Sequence, residues 1–166
     1  MQDFSSQAWY QYLTDWQQEL VKTAIQLLEQ DEEKVATNDP IDDFIDYAYI
    51  VFPMAKAYEG FLKKYFYDFG LISKKTYFGK RFRVGRALNP DVRQQQRDRY
   101  WIFDDVVRLC GEETAREMWQ TWLECRNRVF HFFPDEKGKL SREQAEEKLS
   151  MLVLTMDHAV QCIENS

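Results

Sequence analysis

Apolar side chains recur at steps of three and four residues along most of this chain, which points to helices with one buried face. A helix turns once every 3.6 residues, so such steps stack the apolar groups into one stripe. The first stripe runs Trp9, Leu13, Trp16, Leu20, Ala24 and Leu27, with Ser5 or Ser6 available as a cap, and fades into the polar stretch 30–38. Asp39-Pro40 reads as an N-cap followed by proline at the first helical position. Ile41, Phe44, Ile45, Ala48, Val51 and Phe52 carry that second helix to Pro53. Proline lacks the amide hydrogen and crowds the preceding turn, so a kink or split is expected there. The stripe resumes through Ala55, Tyr58, Phe61, Leu62, Tyr65 and Phe66 and stops at Gly70.

Residues 71–89 are the least helical part. Between Thr76 and Arg86 they mix β-formers, glycines and cations, which reads as a basic loop or short hairpin. Asn89-Pro90 is placed to cap a further helix ending at Gly111. The next helix starts near Glu112 and buries Ala115, Met118, Trp119, Trp122, Leu123 and Phe130. Pro134 biases Phe133 away from helical geometry, so His131 falls in or near the last turn. Ser141 and Gln144 form a capping box for a last helix that buries Ala145, Leu149, Leu152, Met156, Val160 and Ile163. The expectation is an all-α, up-and-down bundle of five to six helices. It forms one domain over residues 1–166, with no internal repeat and no dividing linker.

Apolar residues at 45% and aromatics at 16% supply a substantial core. No run approaches the roughly 18 uninterrupted apolar residues of a membrane span, and Met1-Gln2-Asp3-Phe4-Ser5 lacks the basic and apolar regions of a signal peptide. The cysteines Cys110, Cys125 and Cys162 are odd in number and scattered, which argues against a disulfide framework and against a zinc site. These features suit a cytoplasmic protein with no membrane partner. Net charge is −6, yet Lys74, Lys75, Lys80, Arg81, Arg83, Arg86, Arg93, Arg97 and Arg99 face only Asp91 and Asp98 between Ser73 and Tyr100. That segment is either a solvated face or a local seat for a polyphosphate.

Arg126-Asn127-Arg128-Val129-Phe130-His131 holds either a catalytic Arg/His pair or a structural one, and spacing alone does not decide between them. Arginine stays charged and binds phosphate in a forked geometry, and histidine moves protons near neutral pH. Together they suffice to cleave a phosphodiester without metal. On an ideal helix the two side chains stand about 140° apart, too splayed for a two-point metal site but able to converge on a ligand in a groove. His158, the other histidine, reads as a surface or satisfied group. Asp39, Asp42, Asp43 and Asp46 read as favourable charge at a helix N-terminus rather than a cation site. No P-loop, GxGxxG or Ser/His/Asp triad can be assembled.

Arg126-Asn127-x-x-x-His131, late in a small helical chain, resembles the R-x4–6-H motif of the HEPN superfamily, whose most frequent form has Asn after the Arg. The segment Phe52-Pro53-Met54-Ala55-Lys56-Ala57-Tyr58-Glu59-Gly60-Phe61-Leu62-Lys63-Lys64 is similar to the early-helix segment of RNase LS-type toxins. There a Glu works beside the Arg and His, and Glu59 corresponds to it. The resemblance spans residues from about 40 to 160 and implies a metal-independent, cofactor-free endoribonuclease, a toxin or defence effector restrained by an antitoxin or regulatory protein. It implies a homodimer, because such nucleases merge two motifs at a two-fold interface.

In the implied mechanism the RNA 2′-OH attacks the adjacent phosphorus. His131 is general acid or base and Arg126 stabilises phosphoryl charge, while Asn127 orients the loop or a partner side chain and Glu59 positions Arg126 or His131. Lys80, Arg81, Arg83 and Arg86 are candidates to guide the strand, with Tyr77, Phe78 or Phe82 stacking on bases or packing in the core. Two alternatives remain: the HEPN partner of a nucleotidyltransferase, which loses its Tyr acceptor because Phe133 stands in that place, and a non-catalytic module binding RNA, nucleotide or protein.

Overall fold

The computed structural model describes residues 4–36, 46–132, 134–135 and 139–164. They form an all-α helical bundle, with no strand among the described residues. The helices are α1 (Ala8–Tyr12), α2 (Asp15–Ala36), α3 (Ala48–Asp68), α4 (Lys74–Tyr77), α5 (Val84–Leu88), α6 (Phe103–Trp122) and α7 (Arg142–Glu164). Four are long and three are single turns, against the five or six expected. No helix of the described chain is long and apolar enough to cross a membrane.

α3 is the central element. Ile50, Met54, Tyr58, Phe61, Leu62, Tyr65 and Phe66 are all fully buried on it, and α2 and α7 pack along its sides. Each such side chain stabilises the fold by roughly 1.5–3 kcal/mol relative to exposure. α6 packs on α7, and a partly buried ion pair at 2.8 Å from Asp31 of α2 to Arg142 Nε ties α2 to α7. α3 runs unbroken through Pro53, so the expected split does not occur. The missing amide is a local loss, outweighed by burial on both sides of it.

The single first helix expected from the periodicity is two. α1 ends at Leu13, and α2 opens on a capping box in which Thr14 Oγ1 accepts from Gln17 N (3.4 Å) and Gln17 Oε1 accepts from Thr14 N (2.9 Å). The restart turns Trp16 out of the apolar stripe, leaving it 65% exposed. Gly60 lets α3 approach this corner, since a Cβ there would meet Gln17 Nε2 at 2.6 Å, and Gln17 is pinned by the cap.

The segment 71–89 contains no hairpin among the described residues. Ser73 Oγ caps α4 by accepting from Thr76 N at 3.2 Å, and α5 lies so close to α6 that a Cβ on Gly85 would stand 2.1 Å from the Trp122 ring. Local hydroxyl capping and one bulky contact outweigh the β-forming composition. Asn89 opens no helix and instead stands at the C-terminal end of α5; its Oδ1 accepts from Asp91 N in a turn, its carbonyl accepts from Trp101 Nε1, and the next long helix starts only at Phe103.

Gly111, at φ +81°, breaks α6 where a boundary was expected, and Gly70, at φ +71°, follows the end of α3. The Ser141/Gln144 capping box forms with bonds of 2.8 and 3.2 Å. Asp39, Pro40, Ile41, Asp42, Asp43, Phe44, Ile45 and Phe133 lie outside the described residues.

The cysteines overturn their reading. Cys110 and Cys162 form a disulfide across 52 positions, because α6 and α7 lie side by side, and only Cys125 is a free thiol. Linear spacing carries no trace of that packing.

Candidate active site

At Leu123 the α6 helix widens into a π-helical turn, Leu123–Asn127, closed by Arg128 N donating to Leu123 O at 2.9 Å. Bulges of this kind occur frequently at functional sites. Cys125 is the buried side of the turn. Its Sγ lies 3.7 Å from the Lys148 carbonyl, and burial pushes the thiol up to about 12, so it is an inert packing group. Glu124 holds the flank through Arg128 and, at 3.4 Å, Lys148. The next residue is Arg126.

Arg126 reaches α3. Its Nε donates to Glu59 Oε2 at 3.3 Å across 67 positions of sequence, while Glu59 Oε1 takes Lys63 at 3.3 Å. Both partners are about one-third exposed (35% and 29%), which leaves them open to solvent. Among the described residues only Nε is engaged, and the two terminal amino groups of the guanidinium face none of them in a hydrogen bond or ion pair. The Phe130 ring lies beneath, 5.6 Å from Cζ.

His131 follows the π turn, four residues beyond its last member. Because the helix is π-wound and then ends, the offset expected from an ideal α-helix does not apply. The ring is exposed, and Nδ1 stands 2.6 Å from the Asn127 carbonyl oxygen. A carbonyl only accepts, so Nδ1 carries a proton, and Nε2 has no hydrogen-bond partner among the described residues. Asn127 thus acts through its main chain. No hydrogen bond or ion pair joins Arg126 to His131 within one chain. The structure brings together Glu59 and Arg126, and separately Asn127 and His131.

Glu59 and Arg126 lie in a groove of about 550 Å³ whose other walls come from the α1–α2 junction, α3, α4 and Phe130. His131 is not part of the wall. Nor are Lys80, Arg81, Arg83 or Arg86. The first three are exposed and make no ion pair among the described residues; Arg86 is held by Asp98 at 3.0 Å and by the Gln96 carbonyl at 2.9 Å. Phe82 is core, 6% exposed and set against Phe66 and Tyr100, so it stacks on no base. Tyr77 and Phe78 do line the groove.

Trp16, Phe52, Lys56 and Lys63 also line the groove, though apolar periodicity does not mark them as site residues. A signal existed: Phe52, Lys56, Glu59 and Lys63 repeat at four, three and four, a second stripe on α3 that is not apolar.

His158 is half-exposed and bonded through Nδ1 to both carboxylate oxygens of Glu117 at 3.0 Å, a satisfied surface histidine. Among the described residues no three His, Cys, Asp or Glu side chains cluster closely enough to hold a metal ion. Comparison of the chain with protein-family models, with characterised proteins and with solved structures finds no match.

Proposed function

We propose that this chain is a metal-independent endoribonuclease of the toxin or defence-effector kind. In this reading it works in the cytoplasm as a homodimer restrained by an antitoxin or regulatory protein. One observation carries the reading: among the described residues Glu59 clamps Arg126 by Nε alone, on the turn that leads to a histidine whose Nε2 has no partner.

Glu59 fixes the guanidinium plane, leaving its amino groups to fork onto the two non-bridging oxygens of a phosphodiester. His131 Nε2 removes the ribose 2′-OH proton as O2′ bonds to phosphorus, and the resulting imidazolium protonates the departing 5′-oxygen. The O2′–P bond forms, the P–O5′ bond breaks, and the products are a 2′,3′-cyclic phosphate and a 5′-OH. Arg126 offsets the extra negative charge on the phosphorane oxygens. DNA, lacking the 2′-OH, is bound without reaction.

The dimer answers the separation of Arg126 from His131 in one chain, because a second copy supplies the missing approach. Phe132, 91% exposed beside His131, is apolar surface such a copy would cover.

The test is labelled single-stranded RNA with purified protein in excess EDTA. Expected is cleavage leaving cyclic-phosphate ends, lost in Arg126→Ala and in His131→Ala. A folded dimer that leaves RNA intact sinks the reading and favours a binding module.

A further inference from the structure

The groove beside Arg126 has a composition that catalysis does not require. Three of the chain's exposed large apolar side chains, Trp16 at 65%, Phe52 at 52% and Phe78 at 72%, line it. Its cations are Lys56, Lys63 and Arg126, against the single carboxylate Glu59, on a chain whose net charge is −6. Exposed ring faces beside local positive charge suit a ligand that is flat and apolar in one part and anionic in the next. An unpaired nucleotide has that form, since every base offers a π-face and every linkage a phosphate.

We infer that this groove binds single-stranded RNA by stacking one unpaired base on Trp16. The adjoining phosphates lie on Lys56 and Lys63 and lead to Arg126. The Thr14/Gln17 capping box and the close approach at Gly60 hold Trp16 in place, so the platform is built before the ligand arrives. Lys56 Nζ lies over one face of the indole, 4.9 Å from its centroid, so the base takes the opposite face with its phosphate within reach of the ammonium. The choice of RNA over DNA rests on the ribonuclease reading; the stacking itself does not.

The experiment measures anisotropy of a labelled, non-cleavable 2′-O-methyl RNA strand with the full chain. Trp16→Ala is expected to weaken binding about tenfold, and Trp16→Phe to recover most of it. Lys56→Ala is expected to lower the salt slope of log K by about 0.7, the value for one phosphate on a single strand. A duplex of the same sequence, whose bases are already stacked on each other, binds more weakly than the strand.

Absence of saturable binding, equal affinity for duplex and strand, or unchanged affinity in Trp16→Ala with native circular dichroism overturns the inference. Trp16-dependent binding without cleavage of ordinary RNA leaves the groove standing and removes the ribonuclease. Cleavage indifferent to Trp16 does the reverse.

Discussion

The two histidines lie in opposite settings. Both are bonded through Nδ1, His158 to the Glu117 carboxylate and His131 to a main-chain carbonyl. Around His158 the neighbours are acidic or rigid: Glu113, Glu117 and the Cys110–Cys162 disulfide wall the same hollow, and the buried Thr121–Thr155 hydroxyl pair at 2.7 Å extends from Glu117. Near His131 the helix widens into a π turn, Phe132 is bare, and Arg126 faces a groove rich in rings and cations. A carboxylate partner holds an imidazole in a side-chain hydrogen bond. A carbonyl partner fixes a tautomer and leaves the far nitrogen for chemistry. One corner is built to stay closed, the other to receive something.

The sharpest way to break this contrast is to truncate both histidines. His131→Ala is expected to lower RNA cleavage by about 10²–10⁴-fold, the usual contribution of general acid–base catalysis. His158→Ala is expected to leave the cleavage rate unchanged and to lower only thermal stability. Equal losses in the two variants would erase the distinction.

Reducing Cys110–Cys162 probes the closed corner. A closed loop of 52 residues is expected to contribute about 2–4 kcal/mol, read as a lower urea midpoint in dithiothreitol. Strand binding in the groove should survive reduction, because distant and unshared sites act additively. Loss of binding together with the midpoint would show that the corners are coupled.

The most gradual effect comes from pH. Burial raises the Cys125 thiol from 9.0 to about 12 and the Tyr65 hydroxyl from 10.0 to about 12. Each raised group contributes stability that is present below its ordinary value. That stability is lost as pH climbs from about 9 towards 12, because the unfolded chain ionises first. The expected slope is up to about 1.4 kcal/mol per pH unit for each group, and Cys125→Ala should flatten it in alkaline urea titrations.

Much of this molecule is local and therefore readable. The Ser141/Gln144 cap, the breaks at Gly70 and Gly111 and the buried faces of α3 and α7 follow from side chains within one or two turns of each other. Where the reading failed, a competing local device had been overlooked. Thr14/Gln17 restarted the first helix and exposed Trp16, and Ser73 wound a helical turn where a loop or short hairpin was expected. The Arg126-to-His131 motif was visible, but its π winding was not, since one extra residue in a turn leaves no mark in composition. Glu59 entered through resemblance to a family, not through periodicity.

By itself the sequence determined the helices, their caps and the reactive residue types, because backbone propensity and capping act over a few residues. Only the tertiary structure decided that Glu59 meets Arg126 across 67 positions, that Cys110 meets Cys162 across 52, and that three exposed rings share one groove. Those meetings depend on how helices lie side by side. That is settled by the summed packing of whole faces, where no short stretch holds the information.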